Sequence, residues 1–214
     1  MARRDTRELI LATSLALFNE QGEPNVTTNQ IADEADISPG NLYYHFRSKD
    51  DIVTELFKRF LARFQPLTEI PDDVLLSAED LWLHLHVGFE VKGDFRFLYR
   101  NLSDITSRIP NIDRAMRALL AREQASVANA LSGLEQSGIL QITPVQKELL
   151  TQGLQLAMTY WISFAELQAP NSLADGSAQV YAIARVLLQV SPYLREPERT
   201  RLTDIAYQYL SRVV

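Results

Sequence analysis

Apolar residues recur at three- and four-residue spacing along most of the chain, the period of an α-helix with one buried face. In residues 5–21, Ile10, Ser14, Leu17 and Phe18 share a face, and Gly22 stands where a helix ends. Thr27 with Gln30 has the spacing of a capping box and opens a short helix to about Ala35. After a tight turn at Asp36-Ile37, Ser38 caps a second short helix with Pro39 at its first position. Ser48 opens a fourth helix, 48–65, with Asp50 and Asp51 suiting the positive end of its dipole. The run from Pro66 to Pro71 reads as the domain boundary.

Beyond it the predicted helices lengthen. Ser77 opens one to about Val91, and Lys92-Gly93-Asp94 reads as a break. A helix follows from Phe95 to Ser107, then a long one capped by Asn111 and stopped by Ser137-Gly138. Thr143-Pro144 with Gln146 opens another to about Gln168. Helices from about Gly176 to Leu194 and from Pro197 to Arg212 complete the chain. Asn-Gly or Asp-Gly hairpins between alternating runs are missing. The expected fold is all-α: a three-helix N-terminal domain over 1–50, a connecting helix, and a helical domain over 66–214.

Composition narrows the class. The chain has 214 residues, 46% of them hydrophobic, enough for a real core. It has no Cys, hence no disulfide and no thiolate site, which fits a reducing, cytoplasmic setting. The basic start lacks the apolar core of a signal peptide, and no run approaches the roughly 18 apolar residues of a membrane span. No catalytic motif of the GxSxG, HExxH or P-loop kind occurs, so an enzyme is not expected. No cofactor is implied. His84 and His86 lie about 200° apart around a helix and cannot chelate one ion, so no metal is expected either; one is expected buried, the other exposed. The net charge of −6 runs against a simple nucleic-acid binder. Five cations, Arg3, Arg4, Arg7, Arg47 and Lys49, are left to meet phosphates through placement alone.

Two short helices joined by a turn and flanked by longer ones make a helix-turn-helix. Ile31, Ala32, Ala35 and Ile37 join the pair, the alanines allowing close approach. In the second short helix Leu42 and Phe46 face inward. Gly40, Asn41, Tyr43, Tyr44 and His45 are left for a groove in double-stranded DNA, where Asn can pair with a base edge and Tyr or His can reach phosphate.

The segment ISPGNLYYHFRSKDDIV, residues 37–53, with Ile10, Leu17, Phe18, Gly22, Thr28, Ile31, Ala32 and Ala35 around it, resembles the signature of the TetR family of bacterial regulators. Thr13 and Ser14 depart from its usual alanines. The resemblance implies DNA contacts from Thr28, Asn29, Pro39, Gly40, Asn41, Tyr43, Tyr44 and His45, and a phosphate contact from Lys49. It also implies a C-terminal domain that binds a small molecule and forms a homodimer. A narrower likeness, in GEPNVTT, ISPGNLYYHF and FRFLYRNLSDITSRIP, is to regulators encoded with polyhydroxyalkanoate synthesis genes in pseudomonads; it implies a fatty-acyl type of effector.

Phe89, Phe95, Leu98, Tyr99, Leu102, Met116, Leu120, Met158, Trp161 and Phe164 read either as ordinary core or as the walls of an apolar effector pocket; the resemblance favours the pocket. Wide apolar faces over 144–168 (Leu149, Leu150, Leu154, Met158, Trp161, Ile162) and 176–194 suit a four-helix dimer interface as well as a monomer core. The expected function is a repressor released from a near-palindromic operator by a small apolar ligand. The alternatives are an activator of the same fold, or a helical acyl or lipid carrier without DNA binding.

Overall fold

The computed structural model describes residues 3–69 and 78–211. The expected helix start at Ser77, the boundary residue Pro71 and the expected end at Arg212 lie outside them, as do the side chains of Arg3 and Arg4. The described residues form eleven α-helices: α1 (Arg3–Gln21), α2 (Thr28–Glu34), α3 (Pro39–His45), α4 (Lys49–Phe64), α5 (Ala78–Asp94), α6 (Arg96–Arg100), α7 (Leu102–Arg108), α8 (Pro110–Gln136), α9 (Pro144–Gln168), α10 (Ser177–Val190) and α11 (Glu198–Leu210). Among the described residues there is no strand; Leu140 and Leu194 form one isolated bridge. No described helix is long and apolar enough to cross a membrane.

The helices begin and end for local reasons. Thr27 and Thr143 both form capping boxes, and Ser38 accepts a bond from the Asn41 N–H with Pro39 at the first position of α3. Ser48 accepts from the Asp51 N–H at the start of α4. Gly22 ends α1 at φ +82°, donating its N–H to the Phe18 carbonyl at 3.0 Å; a side chain there would be strained.

The chain forms two compact units. The first comprises the chain up to Arg63 together with Asp94–Met116. Ile10, Phe18, Ile31, Leu42, Ile52 and Phe60 are fully buried in it. Asn19 of α1 organises the return of the chain: its amide donates to the Asp94 carbonyl at 2.7 Å and its side-chain oxygen accepts the Phe97 N–H at 3.1 Å. Arg96 adds a bond to the Asn19 carbonyl. The Phe18 and Phe97 rings lie 5.3 Å apart, and Phe60 meets Phe95 and Tyr99 at 5.8 Å.

Two expected elements are corrected here. Lys92-Gly93 is no break: α5 runs to Asp94, because Lys92 is buried in an ion pair and Gly93 keeps helical geometry. The expected single helix from Phe95 to Ser107 is two, α6 and α7, divided at Asn101, whose φ of −117° leaves the helical region. The long helix begins at Pro110, ahead of the Asn111 cap expected.

The second unit comprises Phe64–Gly93 and the chain from Arg117 onward. Phe89, Trp161, Ile162, Ile183, Leu187 and Leu202 are among its buried residues. α10 packs between α9 and α11. α11 also reaches α5: the Tyr209 hydroxyl lies 2.5 Å from Nδ1 of His86, with Trp82 stacked on that imidazole.

Candidate DNA-binding surface and ligand cavity

Within the first unit, α2 and α3 pack through Ile31, Ala32, Ala35 and Leu42, all buried. The turn between them is made by Asp36 at φ +51°, a conformation that Asp tolerates better than most residues. What remains outward is polar or aromatic. Asn29, Pro39, Gly40 and Asn41 are exposed, Tyr43 is 48% exposed and Tyr44 is 65% exposed. His45 is half-buried with Tyr44 edge-on at 5.3 Å. Thr28 and Tyr43 are joined by a 2.8 Å bond between their hydroxyls, so one hydroxyl fixes the other before any partner arrives. Of the expected DNA contacts, the structure leaves Asn29, Pro39, Gly40, Asn41, Tyr43 and Tyr44 exposed and Thr28 and His45 partly so. Their geometry suits insertion of a short helix in a groove, with side chains able to donate, accept and stack.

Lys49 is placed differently. Its ammonium donates to the carbonyls of Glu23 (2.9 Å) and Val26 (3.0 Å) and lies 3.1 Å from Oε1 of Glu23. Two of its three N–H groups thus have carbonyl acceptors, and the Glu23 carboxylate adds charge attraction without a hydrogen bond at Oε1. Glu23 is buried at 1% exposure, and Arg108 of α7 meets its other oxygen at 2.9 Å while also pairing with Asp50 of α4. Burial opposes the Arg108 charge, and Glu23 and Asp50 outweigh it, so its guanidinium is held charged more firmly than usual. Arg7 is likewise occupied, paired with Glu55 at 3.2 Å and lying over the Phe46 ring. Of the five expected phosphate-facing cations, Arg47 is exposed.

The second unit encloses a cavity of about 80 Å³ walled by α5, α8, α9 and α10 and by residues just after α4. Of the expected pocket residues, Phe89 and Met158 line it. The other expected pocket residues do not. Phe95, Leu98, Tyr99 and Met116 are buried in the first unit, where the α6 rings are needed to close the core over Phe18 and Phe60. Leu102 is half-buried there too. Leu120 borders an open groove with Leu156 and Tyr160. Trp161 is buried, 5.5 Å from Phe89, and Phe164 is exposed under Arg185.

Sequence reasoning missed the cavity's polar pair. Lys92 and Glu123 are 2.5 Å apart, with side-chain exposures of 2% and 9%. A signal was available. Glu123 continues the stripe Met116, Leu119, Glu123, Ser126 along α8, and Lys92 continues Leu85, Phe89, Lys92 along α5. A charge on a buried stripe at that spacing means a partner on a facing helix. His84 also lines the cavity, half-buried rather than fully buried or exposed. Burial lowers its pKa below the ordinary 6.5, and its bond to the Leu67 carbonyl and the nearby Glu123 offset this in part. His86, on another face, is half-buried against Tyr209.

Residues 10–56 match the family described as bacterial regulatory proteins, tetR family, and residues 59–202 match that described as bacterial transcriptional repressor, TetR. A TetR-family transcriptional regulator from Marinobacter aquaeolei VT8 has a similar crystal structure, with a TM-score of 0.85 at 32% identity, over 98% of this chain and 99% of that one. The transcriptional regulator AcrR of Shigella flexneri is 28% identical over 91% of this chain and 94% of its own length. The repressor KstR2 of Mycolicibacterium smegmatis is 27% identical over 50% of this chain, a stretch spanning 54% of that protein. Together with the exposed face of α3, these matches identify the chain as a member of the TetR family of bacterial transcriptional regulators, which are DNA-binding proteins and not enzymes.

Proposed function

We propose that this protein is a repressor that binds a near-palindromic operator as a homodimer and leaves it when a small apolar effector occupies the cavity of the second unit. The observation that carries this reading is the division of α3: Leu42 is fully buried, while Asn41, Tyr43 and Tyr44 stand outward with the Tyr43 hydroxyl fixed by Thr28. The DNA contacts are Thr28, Asn29, Pro39, Gly40, Asn41, Tyr43, Tyr44 and His45. The paired recognition helices of a dimer lie about 34 Å apart, one turn of DNA.

Dimerisation is supported by a stripe on α9. Val145, Leu149, Leu156, Tyr160, Phe164 and Leu167 recur at helical spacing and are between 45% and 88% exposed. This is not the face expected from sequence. Leu150, Leu154, Met158, Trp161 and Ile162 fill the core of the unit, which leaves Leu149 and the opposite stripe outward. Exposed apolar residues in such a contiguous row mark an interaction surface.

The cavity is largely apolar, which supports an effector with an apolar body; an acyl chain is one such body. Occupancy shifts the protein off DNA only if the effector binds the released state more tightly than the DNA-bound state.

The test is a fluorescence-anisotropy titration against DNA from upstream of the gene, with scrambled DNA as control, at two salt concentrations. Selective, salt-sensitive binding is expected. Equal affinity for both DNAs, at every upstream region tried, would sink the reading of α3.

A further inference from the structure

The cavity of the second unit has a charge balance that selects its ligand. Lys92 and Glu123 line it as an ion pair 2.5 Å apart, and their charges cancel. The Lys92 ammonium also donates to the Met158 carbonyl at 3.0 Å and stands 4.9 Å from the centre of the Phe64 ring. Its three N–H directions therefore have a carboxylate, a carbonyl and a ring face before them. Glu123 is less complete. Its Oε1 accepts from Lys92, but its Oε2 is fully buried and meets no donor. A buried acceptor without a donor is the group that gains most from a ligand.

We propose that the effector of this cavity is an uncharged, largely apolar molecule with one hydroxyl or N–H donor, and that Glu123, which lines the cavity, turns its unpartnered Oε2 to accept that donor. The inference rests on the cavity being the effector site and narrows what enters it. A free carboxylate would set a second anion beside Glu123 while Lys92 is already occupied. An ammonium would set a second cation beside Lys92 while the charge of Glu123 is already compensated. Either leaves an uncompensated charge among apolar walls, the costliest arrangement available in a protein interior. An acyl effector therefore enters as an uncharged hydroxy derivative rather than as a free acid. An uncharged molecule without a donor fills the space but leaves Oε2 without a partner.

Size sets the scale of a first probe. The cavity, about 80 Å³, is smaller than the apolar cavity of about 150 Å³ known to hold benzene, so a ring enters with some yielding of the walls. Met158, unbranched and soft, is the wall residue suited to yield.

The experiment is a calorimetric titration of the full chain with four small one-ring molecules: phenol, anisole, benzoate and benzylamine. The phenol is expected to bind about tenfold or more tightly than the anisole, the cost of one buried unsatisfied acceptor, and the two ions more weakly still. In the double variant Lys92→Met with Glu123→Leu, which removes both charges together, the phenol and the anisole are expected to bind equally. Equal binding of phenol and anisole to the unaltered protein would overturn the donor inference and leave the cavity a ligand site. Preference for the benzoate or the amine would overturn the charge argument. Binding of none of the four would overturn the cavity reading and this inference with it. The ranking on the unaltered chain decides the matter even if the double variant fails to fold.

Discussion

Lys49 shows what sequence and structure each reveal about a single residue. The resemblance places a phosphate-binding lysine there, and the structure points its ammonium at the Glu23 and Val26 carbonyls. The two roles differ in their consequences. Lys49→Met removes one of two cations from a buried carboxylate, which should cost about 1–3 kcal/mol of stability, read from urea unfolding. It should leave the slope of log affinity against log salt unchanged. Arg47→Ala should do the reverse, sparing stability and lowering that slope by roughly two, one for each subunit of the dimer. A flattened slope from Lys49→Met at unchanged stability would restore the phosphate role. His84 supplies a second residue-level prediction. Its folded-state pKa lies below the ordinary 6.5, so the unfolded chain takes up the proton first. The stability this gives is present above about pH 6.5 and is lost as pH falls below it toward the lowered value. Relative to His84→Gln, the unaltered protein should lose more in melting temperature between about pH 7.5 and about 5.5. A parallel fall in both proteins would show that the histidine titrates alike folded and unfolded.

At the scale of elements, what was legible follows from local chemistry. Thr27 with Gln30, Ser38 with Pro39, Thr143 with Gln146, and the Gly22 stop all act within four residues, and each does in the structure what its spacing predicts. Ser38→Ala should therefore cost about 1 kcal/mol by removing the cap of α3. Operator affinity should fall with it, since the first turn of α3 carries Gly40 and Asn41; unfolding and anisotropy on one preparation would show whether the two losses go together. What was not legible depended on distant partners. Lys92-Gly93-Asp94 has the composition of a break, yet α5 continues because Glu123, on α8, accepts the Lys92 charge inside the core. The stretch Phe95–Ser107 has helical periodicity throughout, yet it divides at Asn101. Its rings are spent on α1 and α4 within the first unit and so cannot line the cavity of the second. Periodicity identified the apolar residues there without saying which core they join.

For the whole molecule the same ambiguity governs the dimer. An amphipathic pattern marks a buried face but not the body against which it is buried, and α9 has two apolar faces. One, through Leu154, Met158 and Ile162, is spent inside the unit. The other, with Leu156 at 63% and Leu167 at 88% exposure, is too apolar for a helix surface meant to stay in water. Phe164 lies under Arg185 of α10, which holds one face of that ring. A charge on this stripe separates the two faces experimentally. Leu156→Glu should leave the fold intact, because the side chain touches solvent rather than core. The pairing of two copies should weaken by a hundredfold or more, since each interface of two-fold symmetry would bury the new carboxylate twice, at about 1–3 kcal/mol for each. Leu154→Glu, two residues away on the opposite face and in the core, should instead unfold the protein. Sedimentation equilibrium reads the first effect and circular dichroism the second. A near-palindromic operator couples the two, because a monomer holds one half-site with one α3 and loses the gain of binding both at once. The monomeric variant should therefore bind the full operator no better than an isolated half-site. Full-operator affinity retained by a folded monomer would place dimerisation on another surface.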